Sequence, residues 1–235
     1  MALSALWLLL TRYGPVRAGR KAIAAIALGA ALAGAVASGS AAEEVVIVAL
    51  GDSLTQGYGL PADEGFVPQL QAWLDEQGAE VRLINAGVSG DTTAGGLSRV
   101  SWTLTDEVDA MIVALGGNDV LRGLDPSTSR ANLRGILEVS AAQDVEVLLV
   151  GITAPGNYGP DYKQTFEGIY PDLASEFGTL LAPNFLAALA EAAEGGAALQ
   201  TLMQRDGIHP SAEGVALIIE DLGPKVADLA ERAAN

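Results

Sequence analysis

The stretch "VVIVALGDSLTQGYG" (residues 45–59) sets six apolar, mostly β-branched residues directly ahead of a Gly-rich polar turn. A short continuous apolar run bounded by turn residues reads as a strand buried on both faces. The same unit recurs along the chain. "VRLINA" (81–86) runs into "GVSGDTT", "AMIVAL" (110–115) into "GGNDVLRG", and "VEVLLVG" (145–151) into "TAPGNYG". A weaker fifth strand is "TLLA" (179–182). Amphipathic helical stretches fall between them, at 66–77, 93–104, 127–143 and 161–177, with a last one at 211–234. Alternation of this kind predicts an α/β fold: a three-layer αβα sandwich, flavodoxin-like, around a parallel sheet of about five strands.

In a parallel sheet every loop that follows a strand leaves at the same edge, and ligands bind there. The four polar loops are therefore expected to meet in space although they lie far apart in sequence. "RDGIHP" (205–210) joins them, because it follows the last strand and precedes the last helix. A ligand-binding module on this fold would share the geometry, so the residues within the loops must discriminate.

The composition narrows the chemistry. Half of the 235 residues are hydrophobic, enough for a sizeable core. The net charge of −16 argues against nucleic acid, whose phosphates need a Lys/Arg surface, and against anionic lipid. With no Cys there is no thiol nucleophile, disulfide or thiolate metal site. A single His makes a zinc site improbable. No Gly-rich phosphate loop carries a lysine. A hydroxyl, a carboxylate or an imidazole is left to act, with no cofactor and no metal expected. No obligate protein partner is evident.

Residues 1–42 read as a cleaved signal peptide and residues 43–235 as the domain. Four basic residues (Arg12, Arg17, Arg20, Lys21) and no acidic one occur there, and "AIAAIALGAALAGAVA" (22–37) is followed by "SGSAA". That is a basic region, an apolar core and a small-residue cleavage zone, with Ser40 and Ala42 at the −3 and −1 positions. The expected destination is the periplasm or the exterior, with no stable membrane anchor after cleavage. The "MALSALWLLLTRYGP" ahead of this is superfluous to an export signal, and translation from near Val16 would explain it.

The loops hold the parts of a nucleophilic site. Ser53 follows a buried strand immediately, and the only base available to it is His209. Asp206 lies three residues before that histidine, and Pro210 disfavours helix at His209, so "DGIHP" is a turn able to bring carboxylate to imidazole. Oxyanion donors are available in the Ser53 N–H, the unobstructed N–H of Gly87 and the Asn118 amide. Each residue singly has an ordinary role, Ser53 as a helix N-cap and Asn118 as a turn former. Their coincidence on loops that share an edge favours catalysis.

At these residues the sequence resembles the SGNH (GDSL-type) hydrolases. "GDSL" (51–54), "NAGVSGDT" (85–92), "GGND" (116–119) and "DGIHP" (206–210) match its four blocks in order. The resemblance implies Ser53, Asp206 and His209 as the triad and Ser53, Gly87 and Asn118 as the oxyanion hole. "LGGNDVLRGLDP" and "GNYGPDYKQTFEGIYPDLASEF" are similar to the exported bacterial thioesterase I, lysophospholipase and arylesterase subgroup, which implies substrate contacts from Asn157 and Tyr158. The implied activity is cofactor-free hydrolysis of small-molecule or lipid esters and thioesters: aryl esters, lysophospholipids or acyl-CoA. A carbohydrate O-acetyl esterase and an inactive binding module on the same fold are the alternatives.

Overall fold

The computed structural model describes residues 44–235; the expected signal peptide lies outside them. Five strands form one parallel sheet: β1 (Val45–Gly51), β2 (Val81–Gly87), β3 (Ala110–Ala114), β4 (Glu146–Val150) and β5 (Leu180–Ala182). Their order is β2-β1-β3-β4-β5, the flavodoxin-like order. The chain leaves β1 with β2 on one side and β3 on the other. That is the topological switch point, and the loops after β1 and β3 flank the crevice it opens.

The helices are α1 (Ser53–Gln56), α2 (Phe66–Glu76), α3 (Thr93–Thr103), α4 (Gly117–Leu121), α5 (Pro126–Ala141), α6 (Pro160–Phe177), α7 (Ala187–Glu194), α8 (Leu199–Leu202) and α9 (Ala212–Ala233). Alternate residues of each strand feed the two faces. Ile47, Ala49, Ile112 and Leu148 pack with Phe66 and Leu70 of α2 and Ile218, Leu222 and Val226 of α9. Val48, Leu50, Met111, Val113 and Leu149 pack with Val100 of α3, Leu133 and Ile136 of α5 and Phe166 and Leu173 of α6. Both faces of the sheet are covered, which is why the central strands β1 and β3 read as unbroken apolar runs, whereas β2 at the edge carries Arg82 and Asn85. Every residue of β1 is buried. Among the described residues no helix is long and apolar enough to cross a membrane.

The five strands and five long helices stand where the sequence pattern puts them, within a few residues. Four short helices do not show in the pattern. In α1 and α4 the chain turns directly off a strand, and a single turn has no periodicity to read. In α7 the Ala-rich sequence offers little contrast between faces, and α8, the four residues LQTL, is again a single turn.

Candidate active site

The loops after β1, β2, β3 and β4 and the turn before α9 line one cavity of about 270 Å³. Ser53, Asn118 and His209 are in its wall. Ser53 is the first residue of α1 and its hydroxyl lies 2.8 Å from Nε2 of His209. The other ring nitrogen, Nδ1, is 2.7 Å from Oδ2 of Asp206. A neutral imidazole satisfies both bonds with its proton on Nδ1 and its acceptor on Nε2.

The turn that carries the imidazole is held from within. Oδ1 of Asp206 accepts the backbone N–H groups of Ile208 and His209, and Gly207 takes the positive φ of 67° that the turn needs. These bonds, led by the one to His209, lower the Asp206 carboxyl to a pKa of about 2. Gln204 clamps the turn from outside. Its Nε2 donates to the carbonyls of Tyr58 and Pro210, and its backbone N–H donates to the carbonyl of His209. The Tyr58 ring packs on the imidazole with centroids 4.7 Å apart.

The Asn118 loop is built on buried polar contacts. Gly116 has φ 121°, and a Cβ there would lie 2.2 Å from the Tyr170 hydroxyl. That hydroxyl donates to the carbonyl of Leu115. The next acid along, Asp119, is wholly buried and accepts from the Thr93 N–H, the Thr93 hydroxyl and the Ser129 hydroxyl. It pins the loop to α3 and α5. Asn118 itself donates through Nδ2 to Oδ2 of Asp52 at 3.2 Å. Asp52, and not Ser53, is the N-cap of α1, accepting from the Leu54 N–H at 3.0 Å. Burial raises the Asp52 carboxyl to a pKa of about 6 against the lowering effect of these bonds.

Three of the expected positions stand elsewhere. Gly87 is the last residue of β2, still paired in register with Gly51, and its N–H donates to Oδ1 of Asn85 at 2.9 Å. It is absent from the cavity wall. Ser89 and Gly90 take that place. The Gly90 N–H has no acceptor among the described residues, and its carbonyl is held by Arg122 at 2.8 Å. Asn157 and Tyr158 lie in an exposed 3₁₀ turn (Gly156–Tyr158) outside the wall, with the Tyr158 ring against Tyr162. Thr153 and Pro155 reach the cavity from that loop instead. The loop is fixed by Lys163 and Glu167, which bind the carbonyl and the N–H of Ala154.

The remaining wall is apolar: Leu54, Val120, Leu121, Ile152, Leu186 and Ile208. A serine hydroxyl bonded to an imidazole, with free N–H donors beside an apolar cavity, is an arrangement that suits transfer of a hydrophobic acyl group. Among the described residues no three His, Asp or Glu side chains cluster as metal ligands would.

Residues 49–217 match the model of the GDSL-like lipase/acylhydrolase family. The chain is 39% identical over 191 residues to esterase TesA of Pseudomonas aeruginosa, covering 81% of this chain and 90% of that one. It is 36% identical over 182 residues to the thioesterase 1/protease 1/lysophospholipase L1 of Escherichia coli, covering 77% and 82%. The crystal structure of AlinE4, an SGNH-hydrolase family esterase, superposes with a TM-score of 0.64 at 43% identity, over 79% of this chain and 96% of that one. The chain belongs to the GDSL-like lipase/acylhydrolase family and is a serine hydrolase of ester bonds.

Proposed function

We propose that Ser53 attacks the acyl carbonyl of a carboxylic ester or thioester while His209 takes its proton. The imidazolium, steadied by Asp206, then gives that proton to the departing alkoxide or thiolate. The carbonyl oxygen, negative in the tetrahedral intermediate, is met by the N–H groups of Ser53 and Gly90 and by the Asn118 amide. Water attacks the acyl-Ser53 ester with His209 as base, releasing the acid and restoring the hydroxyl. The observation that carries this reading is the unbroken relay Asp206–His209–Ser53, with contacts of 2.7 and 2.8 Å at the edge of an apolar cavity. Gly90 replaces Gly87 as donor because its N–H is unspent.

Neutral or zwitterionic esters suit this site better than acyl-CoA. The chain carries −16, and loss of the basic residues 1–42 makes it four units more negative. Two cations placed to offset this locally are consumed: Arg99 by Asp91 at 2.8 Å, and Lys163 by Glu167. Arg122 alone remains near Gly90 without a carboxylate partner among the described residues. A net negative field repels a polyanion and screens with salt.

Residues 1–42 fit an export signal on sequence, and fractionation should find a form beginning near Ala41–Glu43 in the periplasm or medium. The catalytic reading is tested by a fluorophosphonate label on Ser53. A panel of aryl esters, lysophospholipids, acyl-CoA thioesters and acetylated sugars then ranks substrates. Labelling with hydrolysis of the first two is expected. No labelling of Ser53 would overturn the mechanism. A kcat/KM higher for acyl-CoA than for a matched neutral ester, and insensitive to salt, would overturn the charge argument.

A further inference from the structure

The geometry points to Asp52 as a positioning residue that fixes which end of the Asn118 amide faces the developing oxyanion, and so couples the oxyanion hole to the ionisation of a buried carboxyl. The inference rests on the reading of Asn118 as an oxyanion donor.

A primary amide has two ends of nearly equal size, one donating and one accepting. Sterics alone do not choose between them. The partner does. The Oδ1 of Asp52 is committed to the Leu54 N–H at the start of α1. Its Oδ2 is left to face Asn118, 3.2 Å from Nδ2. An ionised carboxylate is acceptor-only, so it binds the Nδ2 end and one of its two hydrogens. The second hydrogen is then presented in a fixed direction, and Asn118 lines the cavity with Ser53 and His209. Gly117 leaves room for this contact, since a Cβ there would already lie 3.1 Å from Oδ2.

Protonation reverses the instruction. With Oδ1 occupied by the Leu54 N–H, the proton sits on Oδ2 and makes it a donor. The bond is then satisfied by rotating the Asn118 amide so that its oxygen faces Asp52. The nitrogen turns away, and the cavity loses a donor. Asp52 is 2% exposed, and its burial holds the carboxyl near pKa 6, so the change falls within an ordinary working range. The groups that face it are His209 from the turn before α9, which favours the anion, and Asp91 from the loop after β2, which opposes it. Tyr170 of α6 feels the Asp52 charge, and Arg99 of α3 binds the neighbouring Gly51 carbonyl.

The test uses the mature enzyme and a soluble aryl ester. Asp52→Asn keeps the acceptor for Leu54 N–H but offers Asn118 a permanent donor. The expected result is a fall in kcat of about 10²-fold, the scale of one oxyanion donor, with KM within about threefold. The double variant with Asn118→Ala should be no slower than Asn118→Ala alone. On the acid side, log kcat of the wild-type enzyme should fall more steeply than one proton allows, and Asp52→Asn should remove the excess. The wild-type slope needs no variant to fold. Unchanged kcat in Asp52→Asn, independent addition of the two substitutions, or a single-proton acid limb in the wild type would each overturn the inference. An enzyme that neither labels at Ser53 nor turns over would instead overturn the catalytic reading beneath it.

Discussion

Arg99 donates through Nη2 to the carbonyl of Gly51 at 2.9 Å, tying α3 to the strand end that precedes Ser53. The same guanidinium reaches the carbonyl of Ala86 at 2.7 Å and the Asp91 carboxylate at 2.8 Å. Two strand ends and the Gly90 loop therefore share one planar fork. A lysine has one nitrogen and no such fork, so the conservative exchange is not conservative here.

Arg99→Ala should lower unfolding free energy by about 3–5 kcal/mol, because it leaves Asp91 without its partner in a pair whose side chains are only 16% and 12% exposed. Arg99→Lys should recover part of that stability but less of the kcat, since the three acceptors can no longer be held together. Urea denaturation and ester turnover measured on both variants check this. Wild-type kcat in Arg99→Lys would show that the fork does not order the site.

On the proposed mechanism Gly87 is a structural glycine and Gly90 a working one. A Cβ at Gly87 would lie 2.3 Å from the backbone nitrogen of Gln56, which no rotamer change relieves. Gly87→Ala should therefore cost about 1–3 kcal/mol or more of stability through overpacking. At Gly90 the nearest atom to a Cβ is the Arg122 side chain at 3.8 Å, so space is open, but φ is 81°. Gly90→Ala should fold, lose about 1–2 kcal/mol to the left-handed backbone, and lose kcat out of proportion to that. Melting curves beside kcat values sort the two. The opposite pattern would return the donor role to Gly87.

Much of this is legible in the amino-acid sequence alone. Apolar runs, continuous in β1 and β3 and broken by Arg82 and Asn85 in β2, locate the five strands, and the parallel arrangement alone brings Ser53, Asn118 and His209 to one edge. What the sequence conceals is register and direction. "NAGVSGDT" offers two glycines, and nothing in it says that β2 continues through the first one and spends its N–H on Asn85. The loop after β4 is placed correctly, yet its Asn157 and Tyr158 point attention two residues past Pro155, where the chain has already left the wall. Asp52 sits inside the quoted "GDSL" and passes unnoticed, because its partner Asn118 is 66 positions away. The contact that could have drawn attention to it is long-range, and periodicity reports only neighbours.

The carboxyl within the relay and the one beside it act on stability with opposite signs. Asp206 has its folded pKa lowered to about 2, so its contribution is full above the unfolded value and is lost as pH falls toward 2. It is ionised at neutral pH. Asp52 has its folded pKa raised from 3.8 to about 6, so its contribution is full below 3.8 and is lost as pH rises through 6. Relative to Asp52→Asn, the wild-type protein should gain stability on going from pH 7 to pH 4, by up to about 3 kcal/mol. Urea midpoints of the pair at the two pH values measure the gain. A difference that stays constant, or that shrinks at pH 4, would mean the Asp52 carboxyl titrates normally.

The single histidine makes the relay testable one part at a time. His209→Ala and Ser53→Ala should each lower kcat by roughly 10⁴-fold or more, and the double variant should be scarcely worse than either, because the members act as a unit. Asp206→Asn should also be severe. Its Oδ1 still accepts from Ile208 and His209, so the turn survives, but the second oxygen becomes an amide nitrogen facing Nδ1. The imidazole must then present the wrong tautomer to Ser53. Folding should persist in all three, since their bonds lie in a loop edge and not in either packed face of the sheet. Diethylpyrocarbonate has no other imidazole to modify in this chain, so inactivation should track one modified residue, and prior labelling of the serine should block that modification. An enzyme that kept most of its activity without His209, yet none without Ser53, would mean that another group deprotonates the hydroxyl. The 2.8 Å contact between them would then be a structural bond only.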